Sequence, residues 1–262
     1  MSEVISDLIE WGPLLLRGLW ITILVSVTTM ALSTVLGAGV ALLRIAPFSA
    51  TPVLGKVVHG VLRGYVDVMR GIPLVVLLFI LFYALPSIDL TISRDPLVVG
   101  ILGFTLNVTA YLSEVWRAAI RSIDPGQMEA ATSLGMSPRK SYQRIVLPQA
   151  ALIATPTLGG YFISTLKDSS LLGFVSVMDL MRTGILLVST TFKAFEIYFI
   201  IGFMYLALSL VASFLIVRVE RRLTPAYLRA GRRRPDVIGQ AREVAVLEAE
   251  PMLDDSSRGQ PR

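Results

Sequence analysis

The sequence predicts an all-α membrane protein with five transmembrane helices. Three observations predict it. Hydrophobic residues make up 54% of the chain and charged residues 16%, against about 25% charged in a typical soluble domain. The mean hydropathy is +0.69. The apolar residues also fall in long runs: 19–43 holds no charged side chain, and about 20 mostly apolar residues suffice to cross a hydrocarbon core.

The expected spans are 19–43, 60–85, 96–116, 145–166 and 195–217. The second has a short apolar part, 72–85, and the amphipathic stretch 57–71 is expected to carry its helix inward from the interface. Gly71 and Pro73 would bend or start a helix there, because proline lacks an N–H and clashes with the preceding turn. Residues 171–177 are too few to span and read as re-entrant or interfacial.

Five spans place the termini on opposite sides. Of the 24 Lys/Arg, 19 lie in 44–71, 116–148 and 218–262, and 5 in 1–18, 86–95 and 167–194. The positive-inside rule puts the N-terminus outside, the C-terminus inside and the 116–148 loop in the cytoplasm. The net charge of +5 thus reports topology and not a nucleic-acid partner. Glu3, Asp7 and Glu10 precede the first basic residue, which is not the basic start of a cleaved signal peptide. Past the membrane-spanning part of the chain, 223–262 is expected to continue briefly as helix and then become a disordered cytoplasmic tail, its basic GRRRP at 231–235 read first as a solvated positive-inside anchor, with contact to anionic lipid headgroups the alternative.

The chain has no cysteine and one histidine, His59, so disulfides, thiol chemistry and a metal site are not expected. There is no G-x-x-x-x-G-K-[ST], G-x-S-x-G or H-E-x-x-H motif. An enzymatic role is not expected, and no catalytic residue is assigned.

The stretch GQMEAATSLGMSPRKSYQRIVLPQA at 126–150 is unusually structured for a connector. Asp124 suits an N-cap, Pro125 the first helical position and Gln127 a capping box. Gly135 fits a left-handed helix stop. Ser137-Pro138 repeats the start signal, and a second helix is expected to run towards Leu147, where Pro148 breaks it before the next span. Small residues allow close approach by a partner, with Met128 and Leu134 available to fill a groove. A plain connector needs about 2–8 residues, so two capped helices point to docking.

Glu129-Ala130-Ala131, then Gly135, then Ile145-Val146-Leu147-Pro148 resemble the EAA loop of ABC-importer permeases. RGIPLVVLLFILFYALP at 70–86, AYLSEVWRAAIRSIDPGQMEAA at 110–131, LKDSSLL at 166–172 and RGLWITILVS at 17–26 resemble the polar amino-acid uptake branch. The resemblance covers roughly 17–222 and leaves the tail out. It implies the fold of a type I ABC-importer permease, located in the inner (plasma) membrane. It implies partners: a dimer of ABC ATPase subunits, a second permease copy or paralogue, and an extracytoplasmic amino-acid-binding protein. It implies that this chain binds no cofactor, with ATP and Mg held by the ATPase. Coupling to that ATPase would fall to Glu129, Ala130, Ala131, Gly135, Ile145, Leu147 and Pro148.

A zwitterionic amino acid needs acceptors for its ammonium and donors for its carboxylate. Polar groups at membrane depth are costly and tend to face a cavity or another helix. Thr105, Asn107 and Thr109 in the third span, and Asp168, Ser169 and Ser170 after the fourth, are the substrate-path candidates. Glu114 and Arg117, three apart, read as an ion pair, and Arg70 as an interfacial anchor. An ABC permease for another small solute and a self-contained secondary transporter are the alternatives.

Overall fold

In the computed structural model, residues 2–46 and 51–223 are described, with side chains from Glu10 onward. The expected tail from 224 lies outside the described residues. Those described are helical wherever regular structure occurs. Four helices are long and apolar enough to cross a membrane, or five if one bent pair counts as a span.

The first helix, α1 (Ser2–Ile45), starts well before the expected span. Its early turns have their own packing: Trp11 and Leu15 share a buried cluster with Leu180, Leu187, Ile197 and Ile201. Further along, Thr22, Ser26, Thr29 and Ser33 are fully buried, forming a polar seam at i, i+4, i+7 and i+11. The seam joins helices. The Leu180 amide donates to Thr22 Oγ1 over 3.2 Å, and Ser33 Oγ donates to the Thr105 carbonyl over 3.3 Å. Hydroxyls hold helices together in this way where the apolar effect between them is weak.

The expected second span is not one straight helix. It divides into α2 (Pro52–Gly71) and α3 (Leu74–Phe79), the latter continued by a π-turn over Ile80–Ala84. The two limbs meet at 105°. Ile72 is extended, with φ −93° and ψ 130°, because the ring of Pro73 disfavours a helical predecessor.

The central helix is α4 (Pro96–Arg121), capped by the Asp95 carboxylate accepting from the Leu97 amide. Glycines let its neighbours come close. A Cβ on Gly37 of α1 would stand 3.0–3.2 Å from Leu112 and Ser113, and one on Gly103 about 3 Å from Leu78 and Leu81. At the far end of α4, Glu114 makes the expected ion pair with Arg117 and a second one with Arg44 of α1.

After α5 (Pro125–Ser133) and α6 (Pro138–Ser141), a π-turn over Tyr142–Val146 leads without a stop into α7 (Leu147–Asp168). Pro148 therefore does not end a helix, contrary to expectation. It sits in the first turn of α7, and the preceding turn widens so that the Leu147 amide reaches back to the Tyr142 carbonyl. Single π-turns of this kind occur as bulges inside α-helices.

The segment 171–177 packs into the protein body, where Leu172, Val175 and Val177 share a core with Val25, Leu78 and Phe104. It leads to α8 (Leu180–Thr191), a helix the hydropathy did not reveal, and then α9 (Ala194–Leu223). One compact unit extends to Val219, and Glu220–Leu223 are helical.

Candidate coupling loop and translocation cleft

The hairpin after α4 is built by short-range chemistry. Asp124 Oδ1 accepts from the Gly126 amide at 2.7 Å, one residue earlier than the capping-box bond to Gln127 would be. Gly135 has φ +74°, a region that costs other residues about 1 kcal/mol or more. There the Gly135 amide donates to Thr132 at 2.9 Å and the Met136 amide to Ala131 at 3.0 Å. This paired pattern, with glycine just past the helix end, is the Schellman stop.

The hairpin residues divide by face. Glu129, Ala130, Gly135 and Pro148 are exposed, and Ile145 and Leu147 are half-buried. Ala131 is buried, with 1% of its surface exposed. Met128 packs on the core formed by Trp116, Ile120 and Val146, so it does not reach outward for a partner as expected. Leu134 does: it is 82% exposed at the tip, although leucine is ordinarily among the most buried residues.

The break between α2 and α3 forms a second feature. A cleft of about 520 Å³ opens beside it, lined by Arg70–Leu74 on one side, Asn107 and Tyr111 of α4 on another, and Tyr161, Ser164, Thr165 and Asp168 of α7 on a third. Pro73 explains part of its wall. In an unbroken helix the Met69 carbonyl would receive the amide of residue 73, which proline lacks. Asn107 Nδ2 supplies the missing donor at 2.8 Å. The Tyr111 hydroxyl donates to the Arg70 carbonyl at 3.4 Å, and the Arg70 guanidinium lies 5.5 Å from the Tyr111 ring centroid. Broken helices at membrane depth are tolerated where they line a cavity.

Among the six substrate-path candidates, Asn107 and Asp168 line this cleft. Thr105 and Thr109 are buried outside it. At about 100° per residue they turn away from the 104–107–108–111 face, and the Thr105 backbone meets α1 at Ser33. Ser169 is fully buried and donates to the Leu166 carbonyl at 2.8 Å. Ser170 is half-buried and also outside the lining. Arg70, expected as an interfacial anchor, lines the cleft. Its sequence signal was present in Arg-Gly-Ile-Pro, since a helix broken at Pro73 must leave nearby carbonyls and side chains facing a cavity or a partner.

Outside the spans, Asp179 is a buried hub. It caps α8 by accepting from the Arg182 amide at 2.8 Å, and Tyr205 reaches its other oxygen at 3.5 Å. Burial pushes its carboxyl up to about 7.

A bundle of long apolar helices, broken at a polar cleft and carrying a capped hairpin at one end, defines the membrane subunit of a transporter. The chain belongs to the family of binding-protein-dependent transport system inner membrane components, whose model matches residues 43–225. It is 35% identical over 223 residues to the probable glutamine ABC transporter permease protein GlnM of Bacillus subtilis, covering 85% of this chain and 99% of that one. It is 33% identical over 211 residues to the glutamine transport system permease protein GlnP of Escherichia coli, covering 80% and 93%. The crystal structure of an amino acid ABC transporter with histidines superposes with a TM-score of 0.74 at 31% identity, covering 83% of this chain and 97% of that one. An inward-facing structure of the MetNI methionine ABC transporter, at 20% identity and a TM-score of 0.67 over 81% and 97%, shares the fold.

Proposed function

We propose that the chain is the permease subunit of an ATP-driven importer for a polar amino acid. One observation carries the substrate class. The cleft sets a guanidinium, Arg70, and a carboxylate, Asp168, on different helices around one space of about 520 Å³. A free amino acid offers the complementary carboxylate and ammonium, and charge-assisted hydrogen bonds of this kind are the strong ones. The tyrosines and the hydroxyls of Ser164 and Thr165 leave room for a polar side chain. The relatives named as glutamine permeases, and the amino acid ABC transporter of similar structure, support the same class.

The hairpin is the mechanical input. A nucleotide-binding ABC subunit docks on Glu129, Ala130, Gly135 and the exposed Leu134, with Ile145, Leu147 and Pro148 at the root of the contact. Met128, packed on the core of the bundle, holds the hairpin to it. The chain's topology gives the push a direct route. From Leu147, α7 runs unbroken to Asp168, a length of about 33 Å at 1.5 Å per residue. One end of that helix is the hairpin root and the other carries Ser164, Thr165 and Asp168 of the cleft. Closure of the ATPase dimer thereby moves one wall of the cleft against Arg70 on α2.

The remaining parts of the assembly follow from the family. A second copy or a paralogue completes the path, and a binding protein delivers substrate at the outer face. The N-terminus lies outside and the hairpin in the cytoplasm. Uptake of labelled amino acids into vesicles holding the complex, with and without ATP inside the hairpin-side compartment, tests the proposal. ATP-dependent uptake supports it, and equal uptake without ATP refutes it.

A further inference from the structure

A second pocket lies at the hairpin end of the bundle, apart from the cleft. It measures about 290 Å³ and is lined by Arg44, His59, Arg63, Arg117 and Arg121. Three helices supply these residues. Arg44 is in the last turn of α1, His59 and Arg63 are four apart on α2, and Arg117 and Arg121 are four apart on α4. Residues four apart share a helix face, so each pair is presented together.

One carboxylate serves this group. Glu114 pairs with Arg44 through one oxygen and with Arg117 through the other. Arg63 and Arg121 have no ion pair or hydrogen bond among the described residues. Among the described residues, four guanidiniums against one carboxylate leave an excess of three positive charges around a small space. Helix C-termini favour cations within their last turn, which accounts for Arg44 and Arg121. It does not account for Arg63, in the interior of α2, or for Arg117, a turn further in. Arg44 and Arg117 are half-buried and Arg63 and Arg121 exposed; like charges gathered this closely repel, and an anion that joins them relieves the repulsion.

The donor set fits one anion class. Each guanidinium offers five N–H groups in a planar fork, and Glu114 engages one nitrogen of Arg44 and two of Arg117. The remainder suits a group with several acceptor oxygens, as phosphate has. The pocket also lies where α1 and α4, both membrane spans by length and composition, reach their ends. That is the depth of lipid headgroups, and basic pockets between helices at this level hold anionic headgroups.

We propose that Arg44, His59, Arg63, Arg117 and Arg121 form a binding site for a phosphate group at the hairpin end of the permease. The phosphate is carried either by an anionic phospholipid or free in solution, and two arms of one experiment distinguish these sources. The full chain is purified in detergent and examined by native mass spectrometry with phosphatidylglycerol or phosphatidylcholine added. Its thermal midpoint is measured without lipid, in sodium phosphate and in sodium chloride of equal ionic strength.

Retention of phosphatidylglycerol over phosphatidylcholine, reduced on the order of tenfold by R63Q with R121Q, establishes the lipid source. A rise in midpoint specific to inorganic phosphate, lost in the same variant, with no lipid preference, establishes the free anion. R63K with R121K keeps both charges, stands as the folding control and retains binding in either case. Absence of both signals in the wild-type chain overturns the site. So does loss of the ATPase subunit from the variant with lipid and phosphate binding unchanged, which would make the arginines a protein-docking patch.

Discussion

The amide of Met136 donates to the carbonyl of Ala131 across 3.0 Å. That bond folds the chain back on itself at Gly135 and leaves Leu134 standing 82% exposed at the hairpin tip. The turn needs a residue at φ +74°, yet a Cβ built on Gly135 meets nothing within 4 Å.

This combination separates docking from folding. A Gly135→Asp chain loses about 1 kcal/mol to the left-handed backbone, and aspartate is among the residues that visit that region. Insertion and thermal midpoint are expected to stay near the wild type. Co-purification of the ATPase subunit, and transport with it, are expected to fall at least tenfold. Normal transport by a stably inserted Gly135→Asp chain would show that the tip is not the docking surface.

Arg70→Gln and Asp168→Asn are each expected to raise the KM for uptake on the order of tenfold, because a hydrogen bond to a charged group contributes about 1.5–3 kcal/mol. ATPase co-purification is unaffected, since both residues line the cleft and not the hairpin. Kinetic measurement of uptake alongside a pull-down checks both halves. Unchanged uptake kinetics in both variants would remove the cleft from the substrate path.

The all-helical apolar character, the Asp124 cap and the Gly135 stop were legible in the sequence because each rests on local chemistry: apolar length, proline and aspartate at helix starts, glycine past a helix end. The cleft was legible only in part. Asn107 and Asp168 stood out as polar groups near or within a span, but so did Thr105, Thr109, Ser169 and Ser170. Only the helical phase set by packing against α1 separates these. The place of Arg70 in the cleft was not legible for a similar reason, since the 105° bend beside the cleft depends on which carbonyls Pro73 leaves unmet and on Asn107 being there to meet them. Pro148 was taken for a breaker because the π-turn that absorbs it has no sequence marker. Nor does hydropathy betray α8, whose short length and mixed faces resemble a loop.

Asp179 gives the fold a pH dependence. Its carboxyl is raised by burial to about 7, while an unfolded aspartate titrates near about 4. Between these values the folded state binds more protons than the unfolded state, so stability falls as pH rises from about 4 to about 7 and is flat above. Asp179→Asn keeps an acceptor for the Arg182 amide and removes the titration. Its thermal midpoint is expected to vary less across pH 4.5–8 than that of the wild type. Parallel curves for the two chains would show that another group sets the slope.

Glu114 holds Arg44 and Arg117 at once, with the three side chains 13–27% exposed. Glu114→Gln leaves two guanidiniums facing each other, and a partly screened loss of about 2 kcal/mol is expected. Adding Arg44→Gln to that variant removes one unmatched charge and is expected to recover part of the loss, which a double-mutant cycle on thermal midpoints measures. Additive losses would show that the two charges do not interact.

The central claim is that this chain couples ATP hydrolysis by a docked subunit to the passage of an amino acid through the cleft. Reconstituting the chain with its ATPase and binding protein in proteoliposomes, and following labelled glutamine uptake alongside a panel of other amino acids, tests it most directly. The account predicts uptake of at least one polar amino acid that requires ATP on the hairpin side, disappears with Gly135→Asp and weakens with Asp168→Asn. Uptake that proceeds at the same rate without ATP and survives Gly135→Asp would contradict it.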